Sequence, residues 1–269
     1  QVESGSVRWD VCDTQLYSAF RLGGQYLQPI DYAVVDKAKT TGAEEFAVPY
    51  GYYSTVIAYD HERFGDNPPT SWADFWNVEK YPGKRSLYKW MSGNLEAALL
   101  ADGVSPDKLY PLDVPRALKK ISAIKKDLLF WSSGAESQTM LREGEVVMGW
   151  LWNTRANLLQ RDTNKRVMFS YDGGLLQPGL WVVPKGNPAG KQAMHAIASM
   201  QDPEGQVKLL ASMGNGPANP AAAPLVPAEL KAIDPGAPDN VAVQAKIDAE
   251  WYEKNYSKAR QEFLDMIAS

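Results

Sequence analysis

The chain has 269 residues, 45% of them hydrophobic and 22% charged, which is the composition of an ordinary folded protein. At a prior of about 150 residues per domain it holds one large domain or two small ones, and a chain of this size buries a core without disulfide or metal staples. The formal net charge of −4 argues against nucleic acid as a partner, and no apolar run approaches the roughly 18 residues of a membrane-spanning helix.

The first residues, QVESGSVRWD, show neither the charged nor the apolar region of a signal peptide. Cys12 is the sole cysteine, so no internal disulfide can form. With no His or Lys beside it in sequence to lower its pKa, it reads as a small strand residue and not as a nucleophile.

Along the chain, short apolar runs alternate with amphipathic ones. Residues 7–12 read as a strand, with Asp31 in the loop region that follows. Residues 54–59 (STVIAY) form a second strand rich in β-branched residues. Pro69, Thr70 and Ser71 cap a short helix at 72–76. A strand at 85–89 stops before Ser92 and Gly93, and Asn94 starts a helix that Gly103 ends. From 114 to 126, Val114, Leu118, Ile121 and Ile124 share one helical face, while Lys119, Lys120, Lys125 and Lys126 read as the solvated one. The spacing then predicts a strand at 128–131, a helix at 136–142, a strand at 146–152, a helix at 154–160 and a strand at 166–170. A further strand at 180–184 precedes a helix capped by Asn187 with Pro188 at its first position. Asp202-Pro203-Glu204 repeats that start signal, and Gly214 stops the helix. Residues 215–240 are rich in Pro and Ala and irregular. A last helix covers about 248–267. This alternation predicts an α/β protein with mainly parallel sheets and helices on both faces.

The common enzyme signatures are missing. The sequence contains no GxxxxGK[ST], no GxGxxG after a strand and no GxSxG. His61 and His195 are the only histidines, and no HExxH or Cys/His cluster exists, so neither a transition-metal site nor another cofactor is expected. Glu143 and Glu145 flank a glycine turn and read as solvated charge. What the chain does have is nine Trp and thirteen Tyr. These large, rigid side chains with one polar atom each suit pockets that hold a small ligand without changing it, although most of them serve packing.

Several segments resemble the extracytoplasmic solute-binding proteins of ABC importers (family 1), in the group that contains the spermidine/putrescine-binding proteins. They are PTSWADFW at 69–76, YPGKRSL at 81–87, LLADGV at 99–104, LYPLDVPR at 109–116, GEVVMGWLWNTR at 144–155, DPE at 202–204 and GPAN at 216–219, in the expected order. The match runs over nearly the whole chain. Members begin with a strand–helix–strand unit before the segment resembling WDVC at 9–12. No counterpart stands ahead of it here, so the first lobe is expected to be incomplete. The resemblance implies the type II periplasmic-binding-protein fold. Two α/β lobes joined by crossing strands close like a hinge around a ligand. Mapped here, lobe I is 1–58 plus 180–217 and lobe II is 59–179 plus 218–269.

The resemblance also implies a ligand-stacking role for Trp152, at the end of an apolar strand where ligands of open α/β sheets gather; the alternative is packing. Asn153 and Arg155 open the following helix, and Arg155 can fork onto a carboxylate or pair with a surface acid. Tyr52 or Tyr53, beside Gly51, faces the ligand or packs the hinge. Ser133 and Gly134 offer free N–H groups at a helix start. Trp90 follows a strand end, Gln177 and Trp181 flank the second crossing, and Asn215 and Gln15 are weaker candidates. Polyamine binders place acidic residues after the strand resembling 85–89 and where the second crossing begins. Here those stretches read KWMSG at 89–93 and QPGLW at 177–181, without Asp or Glu. Arg155, with Arg85 or Lys89, stands nearby. The expectation is therefore a small carboxylate or zwitterion, with a polyamine as the alternative. Glu96, Glu136 or Asp13 would rescue the polyamine reading by reaching the site. The expected setting is the periplasm, with permease subunits as partners, a monomeric state and neither catalysis nor stable membrane insertion. The competing reading is an enzyme of transferase type on a similar scaffold, which would need a perturbed acid or His beside a nucleophile.

Overall fold

The computed structural model describes residues 1–269. In chain order its elements are β1 (Cys12–Thr14), α1 (Leu16–Tyr26), β2 (Leu27–Gln28), β3 (Val48–Asp60), α2 (His61–Phe64), α3 (Trp72–Trp76), β4 (Arg85–Tyr88), α4 (Asn94–Ala101), α5 (Val114–Ser122) and β5 (Leu128–Trp131). There follow α6 (Gly134–Arg142), β6 (Met148–Trp152), α7 (Asn153–Asp162), β7 (Val167–Pro184), α8 (Gln192–Ser199), α9 (Pro203–Met213), β8 (Gly216–Pro217), α10 (Pro238–Ala242), β9 (Ala245–Lys246) and α11 (Ala249–Ala268).

The chain divides into two compact units. The first is Gln1–Tyr53, Gln177–Ala237 and Asp248–Glu253; the second is Ser54–Leu176, Pro238–Ile247 and Lys254–Ser269. The divisions fall inside β3, β7 and α11, so each of these elements belongs in part to both units. The sequence division puts 218–237 with the second lobe, whereas contacts put it with the first unit. Gln206 on α9 explains the local attachment. Its side-chain carbonyl accepts the N–H groups of Ala218 (2.9 Å) and Asn219 (2.8 Å), and Asn219 donates back to the carbonyl of Gln201 at 2.7 Å.

In the first unit, β7 is the central partner. β1 and β2 both pair with it antiparallel, and β3 pairs antiparallel with β8. Side chains of β7 alternate between two apolar layers, as strand geometry requires. Leu180 and Val182 pack with Ala19, Leu27 and Ala47. Val183, with Trp181 against it, packs with Ile30, Val35, Val48, Ala193, Met194 and Ile197. Asp202 caps α9 by accepting the N–H of Gly205 at 2.6 Å, and Gly214 ends that helix in the left-handed conformation.

In the second unit, β4 runs parallel to both β5 and β6, β3 pairs antiparallel with β6, and β7 runs parallel to β9. The sheets are thus mixed and not mainly parallel. A core of Val56, Ala58, Leu141, Val146, Leu151, Ala156, Leu159 and Val167 lies under α6 and α7. Arg85, placed by the sequence reading near a ligand, is fully buried. Its guanidinium donates to the carbonyls of Phe75 (2.9 Å), Asn77 (3.1 Å), Gly83 and Tyr81. Burial lowers its pKa, and those carbonyls satisfy its donors, so it braces the 75–85 loop.

Several elements differ from expectation. The strands at 166–170 and 180–184 are the two ends of one 18-residue strand, β7. The strand expected at 7–12 is the three residues of β1, and α1 occupies a stretch given no element. The helix expected from 114 to 126 ends at Ser122, followed by a 3-10 turn at Lys125–Asp127. Asn187 does not cap α8, which starts at Gln192; its amide instead donates to Gln28 (3.2 Å) and to the carbonyl of Pro184 (3.4 Å).

Candidate functional site

In the second unit the carboxyl ends of β4, β5 and β6 lie on one side, because these strands are mutually parallel. This is where ligands of α/β sheets collect. The chain leaves β4 towards Trp90 and α4, β5 towards Ser133 and α6, and β6 through Trp152 into α7. Behind these ends stands a stack of aromatic rings. Tyr88 lies flat on Trp131 with ring centres 4.4 Å apart, and on Trp150 at 5.8 Å. Trp152 meets Tyr88 and Trp131 edge-on at 5.4 and 5.1 Å. Trp131 and Trp150 are fully buried, while Trp152 is half-buried and forms the outer member. Trp90 extends the group sideways, 6.1 Å from Tyr256 and with the Arg260 guanidinium 5.4 Å from its ring centre.

Polar groups frame the stack. Ser133 accepts the N–H of Glu136 at 3.2 Å, and the Glu136 carboxylate reaches back to the N–H of Ser132 at 2.7 Å, a reciprocal cap on α6. Glu136 therefore has a local partner. Gly134 is bare because Arg155 from α7 occupies its side: a Cβ there would stand 2.6 Å from Arg155 Nε. Arg155 is half-buried, touches Gln138 Oε1 at 3.4 Å and pairs with no carboxylate. Asn153 has a different task. It is fully buried, accepts the N–H of Ser54 at 2.8 Å and donates to Tyr171 Oη at 3.1 Å, which fastens α7 to β3 and β7. Glu96 is buried too, closing its own helix cap at Gly93 (2.8 Å) and accepting from Tyr110 Oη at 2.5 Å.

In the first unit the candidates gather around β1, β3 and β7. The register sets Asp13 directly opposite Trp181. Trp181 stacks on Tyr50 with ring centres 4.5 Å apart at 31°, and its buried indole N–H has no partner. The Asp13 carboxyl adds to the upward shift that burial gives the Tyr50 phenol. Gln15 Oε1 accepts from Tyr17 Oη. Burial pushes the phenols of Tyr50 and Tyr53 well above their ordinary value. Tyr52 is half-buried, with its ring 3.8 Å from where a side chain on Gly236 would begin. Gln177 and Asn215 are buried in the same unit. The sequence reading selected Gln15, Tyr52, Tyr53 and Trp181 and named Asp13 as a residue that would favour a polyamine by reaching the site; the β1–β7 register makes Asp13 the neighbour of Trp181.

Residues 1–238 match the bacterial extracellular solute-binding protein family. The chain is 32% identical over 271 aligned positions to a gamma-aminobutyric acid-binding protein of Pseudomonas aeruginosa, covering 97% of this chain and 76% of that one. It is similar in structure to an ABC transporter substrate-binding protein from Bradyrhizobium japonicum USDA 110 (36% identity, TM-score 0.92, 99% of this chain and 85% of that one). It also resembles the PBP AgtB of A. tumefaciens R10 in complex with agropinic acid (29% identity, TM-score 0.92, 100% and 84%). A spermidine/putrescine-binding periplasmic protein of Haemophilus influenzae is more distant, at 23% identity over 69% of this chain and 51% of that one. With a family match over residues 1–238 and 32% identity to a relative across 97% of the chain, the protein belongs to the bacterial extracellular solute-binding protein family.

Proposed function

We propose that this chain is the substrate-binding subunit of an ABC transporter, and that it captures a small organic carboxylate or zwitterion and passes it unchanged to permease subunits. Arg155 carries the reading. Its guanidinium lies half-buried between the first turns of α6 and α7 without a carboxylate partner. A fork of donors beside two helix N-termini favours a planar anion. Ser133 and Gly134 supply the α6 side, and Trp152 and Trp90 the apolar floor.

The two units correspond, on this reading, to the two lobes of such proteins, and Gln15, Tyr52, Tyr53, Gln177, Trp181 and Asn215 are the first unit's own ligand-binding candidates. The same kinship supports binding without catalysis and a periplasmic setting, since the related proteins are binding components; a monomeric state is part of the proposal.

Calorimetric titration with organic acids, amino acids, putrescine and spermidine tests the proposal. Micromolar binding is expected from at least one carboxylate, and Arg155→Met should weaken it by at least about tenfold, the scale of one charged hydrogen bond. Micromolar binding of putrescine or spermidine with every acid inert overturns it.

A further inference from the structure

We propose that Gln138 is a positioning residue for Arg155: a neutral acceptor that aims the guanidinium at a ligand without cancelling its charge. This rests on the carboxylate reading above, and both residues belong to the second unit.

The two residues meet because each helix is fixed by its own contacts. α6 starts at the reciprocal cap of Ser133 and Glu136, and α7 is fastened through Asn153 to the Ser54 N–H at 2.8 Å and to Tyr171 Oη at 3.1 Å. Gly134 and Gln138 stand one turn apart on α6 and share a face. Arg155, in the first turn of α7, lies along that face. Its Nε, Cζ and Cδ are the atoms nearest to where a side chain on Gly134 would begin, and its Nη1 donates to Gln138 Oε1 at 3.4 Å. Gln138 is itself buried, so the packing of α6 against α7 holds its amide in place.

What Gln138 takes matters as much as what it leaves. It takes a hydrogen of Nη1. No protein group takes those of Nε and Nη2, the edge of the guanidinium whose parallel hydrogens match the two oxygens of a carboxylate. A free arginine side chain loses rotamer freedom on meeting an anion, and an acceptor already in place removes part of that loss. The acceptor is also uncharged. Glutamate differs from glutamine only in an oxygen where the amide nitrogen stands, and at this distance it would form an ion pair with Arg155. The arginine would then hold an anion permanently, and a ligand would meet a neutral pair. The acid next to this face, Glu136, is turned to the Ser132 N–H at 2.7 Å, and no ion pair of the protein includes Arg155.

Two variants separate orientation from charge. Gln138→Leu removes the acceptor at similar volume, and Gln138→Glu keeps the shape and adds the charge. In the ligand-free proteins, nitrogen NMR of the Arg155 side chain reads its orientation: Nη1 and Nη2 are expected as distinct signals in the wild type and as one averaged signal in Gln138→Leu. γ-Aminobutyrate, butyrate, succinate and putrescine are then titrated calorimetrically into each protein, with thermal melting alongside. Gln138→Leu should weaken acid binding about threefold to tenfold, and Gln138→Glu at least about tenfold further. Gln138→Glu should nevertheless melt no lower than the wild type, because it gains an ion pair; a residue that served packing alone would not separate affinity from stability in this way. An averaged Arg155 signal in the wild type, or acid affinity in Gln138→Glu within about twofold of the wild type, overturns the positioning role while the carboxylate reading stands. Putrescine binding to the wild type with all three acids inert overturns the carboxylate reading and the ligand role of Gln138 with it, whatever the NMR signals show.

Discussion

Whether a polar side chain belongs to the fold or to a ligand is decided by what its atoms already hold. Arg85 and Asn153 spend their donors and acceptors on backbone and a buried phenol. Arg155 does not, and Gly134 is the residue that lets it lie where it does. A methyl group added at Gly134 would stand 2.6 Å from Arg155 Nε and 3.1 Å from Cζ. The helix backbone is fixed and the arginine is flexible, so the guanidinium is what gives way. Gly134→Ala should therefore leave the melting temperature unchanged or slightly higher, since alanine costs less backbone entropy in a helix than glycine. It should weaken carboxylate binding at least about tenfold. Melting and titration of the same preparation check both halves; a lower melting temperature with unchanged affinity would show that Gly134 serves packing alone.

Among the elements, α3 shows how a few side chains hold a short helix. Ser71 accepts the N–H of Asp74 at 3.1 Å, and Asp74 reaches back to the Thr70 N–H (3.2 Å), to Ser71 Oγ (3.0 Å) and to Lys80 Nζ (3.1 Å). Partial burial pushes the Asp74 carboxyl up, but the hydrogen bonds from Thr70, Lys80 and Ser71 outweigh it and hold the pKa below the ordinary value. A lowered folded-state pKa gives stability that is complete above the unfolded value near 4 and is lost as pH falls through the depressed one. Asp74→Asn should cost about 1 kcal/mol at pH 7, and the difference from wild type should vanish in strongly acidic buffer, as urea unfolding at several pH values would show.

That helix was readable because its start signal and its apolar residues lie within a few positions of each other, and the same holds for α4, β5 and α9. The missing elements needed distant partners. Gly173, Gly174, Pro178 and Gly179 look like breaks in any local window, yet β7 runs through them because β1, β2 and β9 supply its ladder. In α1, Gly23 leaves helical geometry (φ 10°, ψ −132°) and hides the helix on either side. The site divides in the same way. Trp152, Ser133 and Arg155 sit at strand ends and helix starts, which are local features. That Asp13 stands opposite Trp181 follows only from pairing with a strand far along the chain.

At the scale of the whole molecule, the chain passes between the units several times. β3, β7 and α11 each contribute residues to both. Unfolding either unit strips ladder or helix from the other, so the chain is expected to melt in one calorimetric transition with equal van't Hoff and calorimetric enthalpies. A ligand should raise that single temperature as its logarithmic concentration rises. Two resolved transitions would show that the shared strands do not couple the units.

The stack of Tyr88, Trp131, Trp150 and Trp152 has one more consequence. Each ring has only two side-chain torsions, and its neighbours at 4.4–5.8 Å fix both. On the proposed function, a ligand seated against the outer ring, Trp152, would freeze almost nothing beneath it, so little of its adhesion would be consumed by ordering the protein. The floor is equally unable to reshape itself for a second guest. Divergence in what such a protein transports would then be written into the exchangeable polar rim while the rings stay put.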